Sequence, residues 1–147
     1  MYQIRPWLFT SSHHATHDLS ILQDHNIGAM LQLFRPVQQE GIESTYIAIE
    51  DGYPLTEEML DKALDFIRKS REAGHTLLIA CGAGISRSTT FAMAALKVIE
   101  GLTIPQAFWT VREGNPRAMP DQDHWDGLCA YFDEDASFWD LWQDAVL

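Results

Sequence analysis

Residues 76–90, T-L-L-I-A-C-G-A-G-I-S-R-S-T-T, constrain this 147-residue chain more than any other stretch. The apolar run at 76–80 reads as a strand, Cys81 follows at its end, Gly82 and Gly84 open a loop, and a helical pattern begins near Arg87. Strand, glycine loop and helix in that order are a unit of α/β architecture, and the rest of the chain continues the alternation. Strands are expected near residues 5–9, 29–34, 46–49 and 76–80, which implies an α/β fold with a mostly parallel central sheet flanked by helices.

The loop also carries a chemical expectation. A thiol has a reference pKa of about 8.5, and only the thiolate attacks. A helix starting near residues 86–88 would point its unpaired N–H groups and the positive end of its dipole at Cys81. Gly82 and Gly84 would let the backbone curl until successive N–H groups converge on one tetrahedral anion. Arg87 would add a planar fork of donors for two phosphoryl oxygens. The candidate anion site is therefore Gly82, Ala83, Gly84, Ile85, Ser86 and Arg87, with Cys81 as nucleophile and Ser88 placed to assist a departing sulfur. The bland reading, a buried small cysteine and a surface arginine, must account for the whole ordered set at once.

Cys81, five intervening residues, Arg87 and then Ser88 resemble the signature loop of the cysteine-based protein tyrosine phosphatases, and G-I-S-R-S-T resembles the dual-specificity branch. The resemblance extends through I-R-P-W-L-F-T-S-S, I-G-A-M-L-Q-L and V-R-E-G-N-P-R-A-M-P, covering about residues 4–131. It implies a phosphocysteine mechanism without metal or cofactor, and a general acid on a loop between a strand and a long helix upstream of the signature. Asp51, in E-D-G-Y-P-L, stands at that position, and neighbouring Glu50 is the alternative because one residue of register decides which carboxyl faces the pocket. One departure is Ala80, where most members carry a histidine that orders the loop. Its absence predicts weaker ordering and less activation of Cys81.

Organisation follows the same periodicities. L-S-I-L-Q-D-H-N-I reads as a helix with Gly28 as its stop. Residues 56–73, with the apolar stripe Met59, Leu60, Ala63, Leu64, Phe66 and Ile67, read as the crossover helix into the signature strand. Residues 88–100 should be buried behind the loop, and Pro105 and Pro120 mark later helix starts. Residues 137–146 should form a further amphipathic helix through Phe138, Leu141, Trp142 and Ala145. It packs on the body or serves as a partner-binding or dimer contact. No linker is visible, so the expectation is one catalytic domain over residues 1–147.

The net charge of −11 argues against general affinity for nucleic acid or an anionic membrane. Eight of the ten Lys and Arg residues lie between Lys62 and Arg117 against four acids, while residues 118–147 hold eight acids and no Lys or Arg. The signature region is thus locally positive, which suits an anionic substrate. No apolar run reaches membrane-spanning length and no signal-peptide pattern is seen, so the expected location is cytoplasmic, where a thiolate stays reduced. Of the two cysteines, Cys129 reads as core or, less simply, as a resolving thiol.

His13, His14 and His17 lack a matching set of metal ligands and read as caps or surface of the first helix, with substrate contact as a further option. Arg35 and Arg117 read as substrate or acid-loop contacts, or as members of structural ion pairs. Three functions compete: a phosphatase of phosphotyrosine and phosphoserine or phosphothreonine on proteins, a phosphatase of a small sugar, nucleotide or RNA phosphate, and a phospho-binding module with weak catalysis. Ala83 and Ile85, in place of lysines, lower the lipid-phosphate reading. The resemblance implies that the extra N-terminal elements that deepen the pocket for strict tyrosine selectivity are lacking, so the dual-specificity type is the expectation.

Overall fold

The computed structural model describes all 147 residues. Five strands form one sheet: β1 (Tyr2–Arg5), β2 (Leu8–Ser12), β3 (Ile27–Gln32), β4 (Glu43–Tyr46) and β5 (Thr76–Cys81). Their order is β1-β2-β5-β3-β4, and every pairing is parallel except β1 with β2. The mostly parallel sheet expected from the sequence is present, with β5 at its centre.

Parity along the strands sorts side chains between two cores. Leu8, Ala29, Leu31, Leu77, Ile79 and Cys81 point into the larger one. Phe9, Met30, Leu78 and Ala80 point the other way, onto Leu22 of α1 (Leu19–Asp24). The larger core is closed by α2 (Glu57–Glu72), α3 (Arg87–Glu100), α4 (Ile104–Gly114), α5 (Gln122–Tyr131) and α6 (Phe138–Val146). Every residue of α3 from Ser88 to Leu96 is buried, so the helix behind the signature loop is surrounded by protein.

Local chemistry places the helix starts. Thr56 caps α2 by accepting from Met59 N at 3.1 Å, with Glu57 and Glu58 in the first turn and Lys69 and Arg71 in the last, matching the helix dipole. Thr103 and Gln106 form a reciprocal capping box on α4, whose first turn contains Pro105. Trp125 of α5 is fully buried; its Nε1 donates to Ala136 O at 2.9 Å and its ring meets Phe108 and Phe138 edge-on. One indole thereby ties α5 to both α4 and α6.

Several expectations need correction. The strand expected at 5–9 is a hairpin: the chain reverses at Pro6 and Trp7, where proline has no N–H to give a ladder. The strand expected at 46–49 pairs earlier, at Glu43–Tyr46. Ile47 N and Ile49 N still bond Gln32 O and Leu33 O, and both isoleucines are buried, so the apolar alternation recorded burial beyond the regular ladder. Gly28 is not the stop of α1; Asn26 takes the left-handed conformation at φ 56°, and Gly28 lies in β3. It is small for another reason, since a Cβ there would sit 2.5 Å from His75 Nδ1. The three histidines do not cap α1: His13–His17 form their own 3-10 turn, and Asp18 caps the helix.

Two substitutions separate packing from capping. Trp125→Ala should lower the unfolding free energy by about 3–5 kcal/mol, whereas Thr103→Ala, which removes one cap, should cost ~1 kcal/mol. Urea unfolding followed by circular dichroism gives both values, and equal losses would show that Trp125 is not the tie described.

Candidate active site

The carboxyl end of β5 delivers Cys81 to the foot of the loop, with the side chain only 1% exposed. Its Sγ accepts a hydrogen bond from Gly84 N at 3.2 Å, so the loop already turns an amide toward the sulfur. Gly84 makes this possible through φ 75°, and a Cβ there would lie 2.7 Å from Ser12 N, backbone that cannot give way. Gly82 has a different reason: its backbone is not left-handed, but a Cβ would come within 2.7 Å of an Arg87 terminal nitrogen.

The helix behind the loop starts at Arg87 with no side-chain cap, because the hydroxyl of Ser86 is committed elsewhere. Ser86 Oγ donates to Asp51 Oδ1 at 3.0 Å. Arg87 donates through Nη1 to Ile49 O at 2.9 Å and lies 5.6 Å from the Phe34 ring centre, while its buried Nε has no partner. Ser88 Oγ is also buried and unpaired, and it makes no bond to the sulfur. The structure thus brings Cys81, Gly82, Ala83, Gly84, Ile85, Ser86, Arg87, Ser88 and Asp51 to one place. Of the two candidate carboxyls, that of Asp51 bonds the loop, whereas Glu50 contributes only its backbone carbonyl, to His124.

Asn115, Met119, Asp121 and His124, which the sequence did not single out, and His13, which it read as helix surface, bond the two loops. Asn115 Nδ2 donates to Gly84 O at 3.1 Å and Met119 N to Ile85 O at 3.1 Å. Asn115 is fully buried, and Asn before Pro reads locally as nothing more than a turn. His13 Nδ1 lies 3.1 Å from Gly82 O, with its ring 4.8 Å from that of Phe34. A carbonyl only accepts, so His13 carries its proton on Nδ1. Asp121 and His124, at the start of α5, reach Gly52 and Glu50.

The remaining candidates fall outside this set. Arg35 stacks on Phe34 at 4.8 Å and is exposed; Arg117 is exposed beside Ala83, along a cleft also lined by Tyr2, Ser12 and His14. Neither forms an ion pair, so the structural reading of both is corrected, and neither touches the acid loop. Cys129 is half-buried on α5, its thiol 3.7 Å from Ala136 O. Burial pushes that thiol above its ordinary value, and the nearby carboxylates of Asp126, Glu134 and Asp135 add to the rise.

Comparison with known proteins agrees with this geometry. Residues 8–134 match the family model described as dual specificity phosphatase, catalytic domain. The chain is 29% identical over 133 residues to mouse dual specificity protein phosphatase 19, covering 87% of this chain and 60% of that protein. It is 28% identical over 122 residues to dual specificity protein phosphatase 1 of Arabidopsis thaliana, covering 80% and 62%. The chain therefore spans about three fifths of the length of these relatives. Among solved structures, human DUSP28 superposes with a TM-score of 0.83 at 23% identity, covering 90% of this chain and 96% of that one, which shows the shared fold. With a family model spanning four of the five strands, the signature loop and helices α1 to α5, the chain belongs to the dual specificity phosphatase catalytic domain family.

Proposed function

We propose that this chain hydrolyses phosphomonoesters through a phosphocysteine, with phosphotyrosine and also phosphoserine and phosphothreonine of proteins as substrates. One observation carries the proposal: a buried sulfur bonded by a loop amide, beside an arginine anchored by one nitrogen and holding a second, buried N–H without a partner. Buried donors are normally satisfied, and an equatorial phosphoryl oxygen is the acceptor that would satisfy this one. Family membership supports the same reaction.

In the first step the Cys81 sulfur attacks phosphorus, the P–O ester bond breaks, and Asp51 gives its proton to the leaving oxygen. Arg87 and the loop amides hold the equatorial oxygens as charge develops. In the second step Asp51 takes a proton from water, the resulting hydroxide attacks phosphorus, and the P–S bond breaks. Cys81 leaves as a thiolate, with Ser88 Oγ, buried and unpaired in the free protein, as a donor to it. Inorganic phosphate is the product, and no metal or cofactor takes part. His13, bonded to Gly82 O of the loop, supplies bracing that Ala80, directed into the small core under α1, does not.

Asp51 accepts from Ser86 when ionised, which keeps its carboxyl at the loop for the second step. The location follows from the chemistry: both cysteines are free, and a thiolate nucleophile requires reducing surroundings such as the cytoplasm. No single helix is long and apolar enough to cross a membrane.

Activity against an aryl phosphate, a phosphotyrosine peptide and a phosphothreonine peptide tests the proposal. Cys81→Ser should abolish turnover of all three; turnover that survives it would sink the mechanism. Asp51→Asn should lower kcat by about 10²–10⁴-fold on the phosphothreonine peptide, whose alkoxide leaving group most needs a proton. If Glu50→Gln does this instead, the acid is assigned one residue too late. Binding of phosphopeptides without turnover by the wild type would favour a binding module.

Thiol labelling gives an independent check. Iodoacetate, an anion suited to the loop, should alkylate Cys81 well before Cys129, as read by peptide mass spectrometry at neutral pH. Preferential labelling of Cys129 would contradict the activation assigned to Cys81.

A further inference from the structure

The loop that carries Asp51 is exposed, yet four consecutive residues of it are held. Ile49 O accepts from Arg87, Asp51 Oδ1 accepts from Ser86, Gly52 N donates to Asp121 Oδ2 at 2.8 Å, and Glu50 O faces His124 Nε2 at 3.1 Å. The first two grips come from the phosphate loop, and the last two come from the first turn of α5. Gly52 turns the chain at φ 81°, so the segment has no helix or strand of its own to fix it.

His124 is the unexpected member. It is fully buried, and because a carbonyl cannot donate, its Nε2 must carry the hydrogen that reaches Glu50 O. Its Nδ1 is buried without any partner. A phenylalanine would fill the same space without an unsatisfied nitrogen, so packing alone does not account for an imidazole at this position. Asp121 is similarly divided: Oδ1 accepts from Asp123 N at 2.8 Å and caps α5, while Oδ2 takes Gly52 N. One oxygen starts the helix and the other reaches out of it.

We propose that His124 and Asp121 are positioning residues for proton transfer. They hold the backbone on either side of Asp51 so that its carboxyl stands over the phosphate loop when the leaving oxygen departs. The inference rests on the reading of Asp51 as the general acid. His124 and Asp121 touch no substrate; they act through Asp51, and their effect scales with how much the leaving group needs a proton.

The test uses His124→Phe, which keeps the bulk and loses the donor, His124→Gln, whose amide N–H can reach Glu50 O, and Asp121→Ser, which keeps a cap and loses the second oxygen. Each is assayed with phenyl phosphate, a poor leaving group, and 2,4-dinitrophenyl phosphate, a good one, alone and combined with Asp51→Asn. His124→Phe and Asp121→Ser should lower kcat on phenyl phosphate by about 10- to 100-fold, the scale of an ångström-sized misplacement. On the dinitrophenyl ester the loss should be under about threefold, and in the Asp51→Asn background neither should add a further loss, because coupled groups are not additive. His124→Gln should recover most of the phenyl phosphate activity. Equal losses on both esters, or losses that add to Asp51→Asn, would overturn the proposal in favour of a purely structural role. Thermal melts identify a variant that fails to fold, and Asp121→Ser then carries the test. If Asp51→Asn alone leaves phenyl phosphate turnover intact, the acid assignment fails and the positioning role falls with it. A large Asp51→Asn loss with no effect at His124 or Asp121 overturns the positioning role alone.

Discussion

A loop that aims its amides at one point must send its carbonyls outward, and those carbonyls need partners. This requirement organises much of the structure. Gly82 O is met by His13, Gly84 O by Asn115, Ile85 O by Met119 N and Thr89 Oγ1, and Ser86 O by Thr90. The partners come from the turn after β2, from the segment between α4 and α5, and from α3 itself. The shape of such a loop therefore depends on its outer partners, because a buried carbonyl left unpaired costs about 1–3 kcal/mol.

Strand parity then divides the work on either side of β5. Cys81 faces the large core with α3 behind it, and Ala80 faces the small core with Phe9, Leu22, Met30 and Leu78. The resemblance to relatives with histidine at position 80 predicted a weakly ordered loop. The structure places an imidazole on the loop from His13, with Phe34 packed against both that ring and Arg87. His13, from a cluster expected at the first helix, meets Gly82 O of the signature loop, because the 3-10 turn after β2 emerges beside the end of β5, where Ser12 pairs with Cys81.

The acid loop shows why one residue of register was not legible. Glu50 and Asp51 are adjacent and chemically alike, and Asp-Gly is a common turn signal in any context. What separates them is that the Glu50 carbonyl is taken by His124 and the Gly52 amide by Asp121, a geometry that leaves the Asp51 carboxyl at Ser86. The buried, half-satisfied His124 carries no local signal in the sequence. Its meaning depends on a neighbour 74 positions earlier in the chain.

By itself the sequence determined the strand, the cysteine at its end, the glycine-bearing loop and the arginine that opens the next helix, since these act on one another within a few residues. It also determined the mostly parallel sheet and the buried α3, whose periodicities are local. Tertiary structure decided which carboxyl reaches the loop and which side chains bond its carbonyls. Those choices are made by single hydrogen bonds between segments 31 to 74 residues apart, and bonds of that kind leave no periodic trace in the chain.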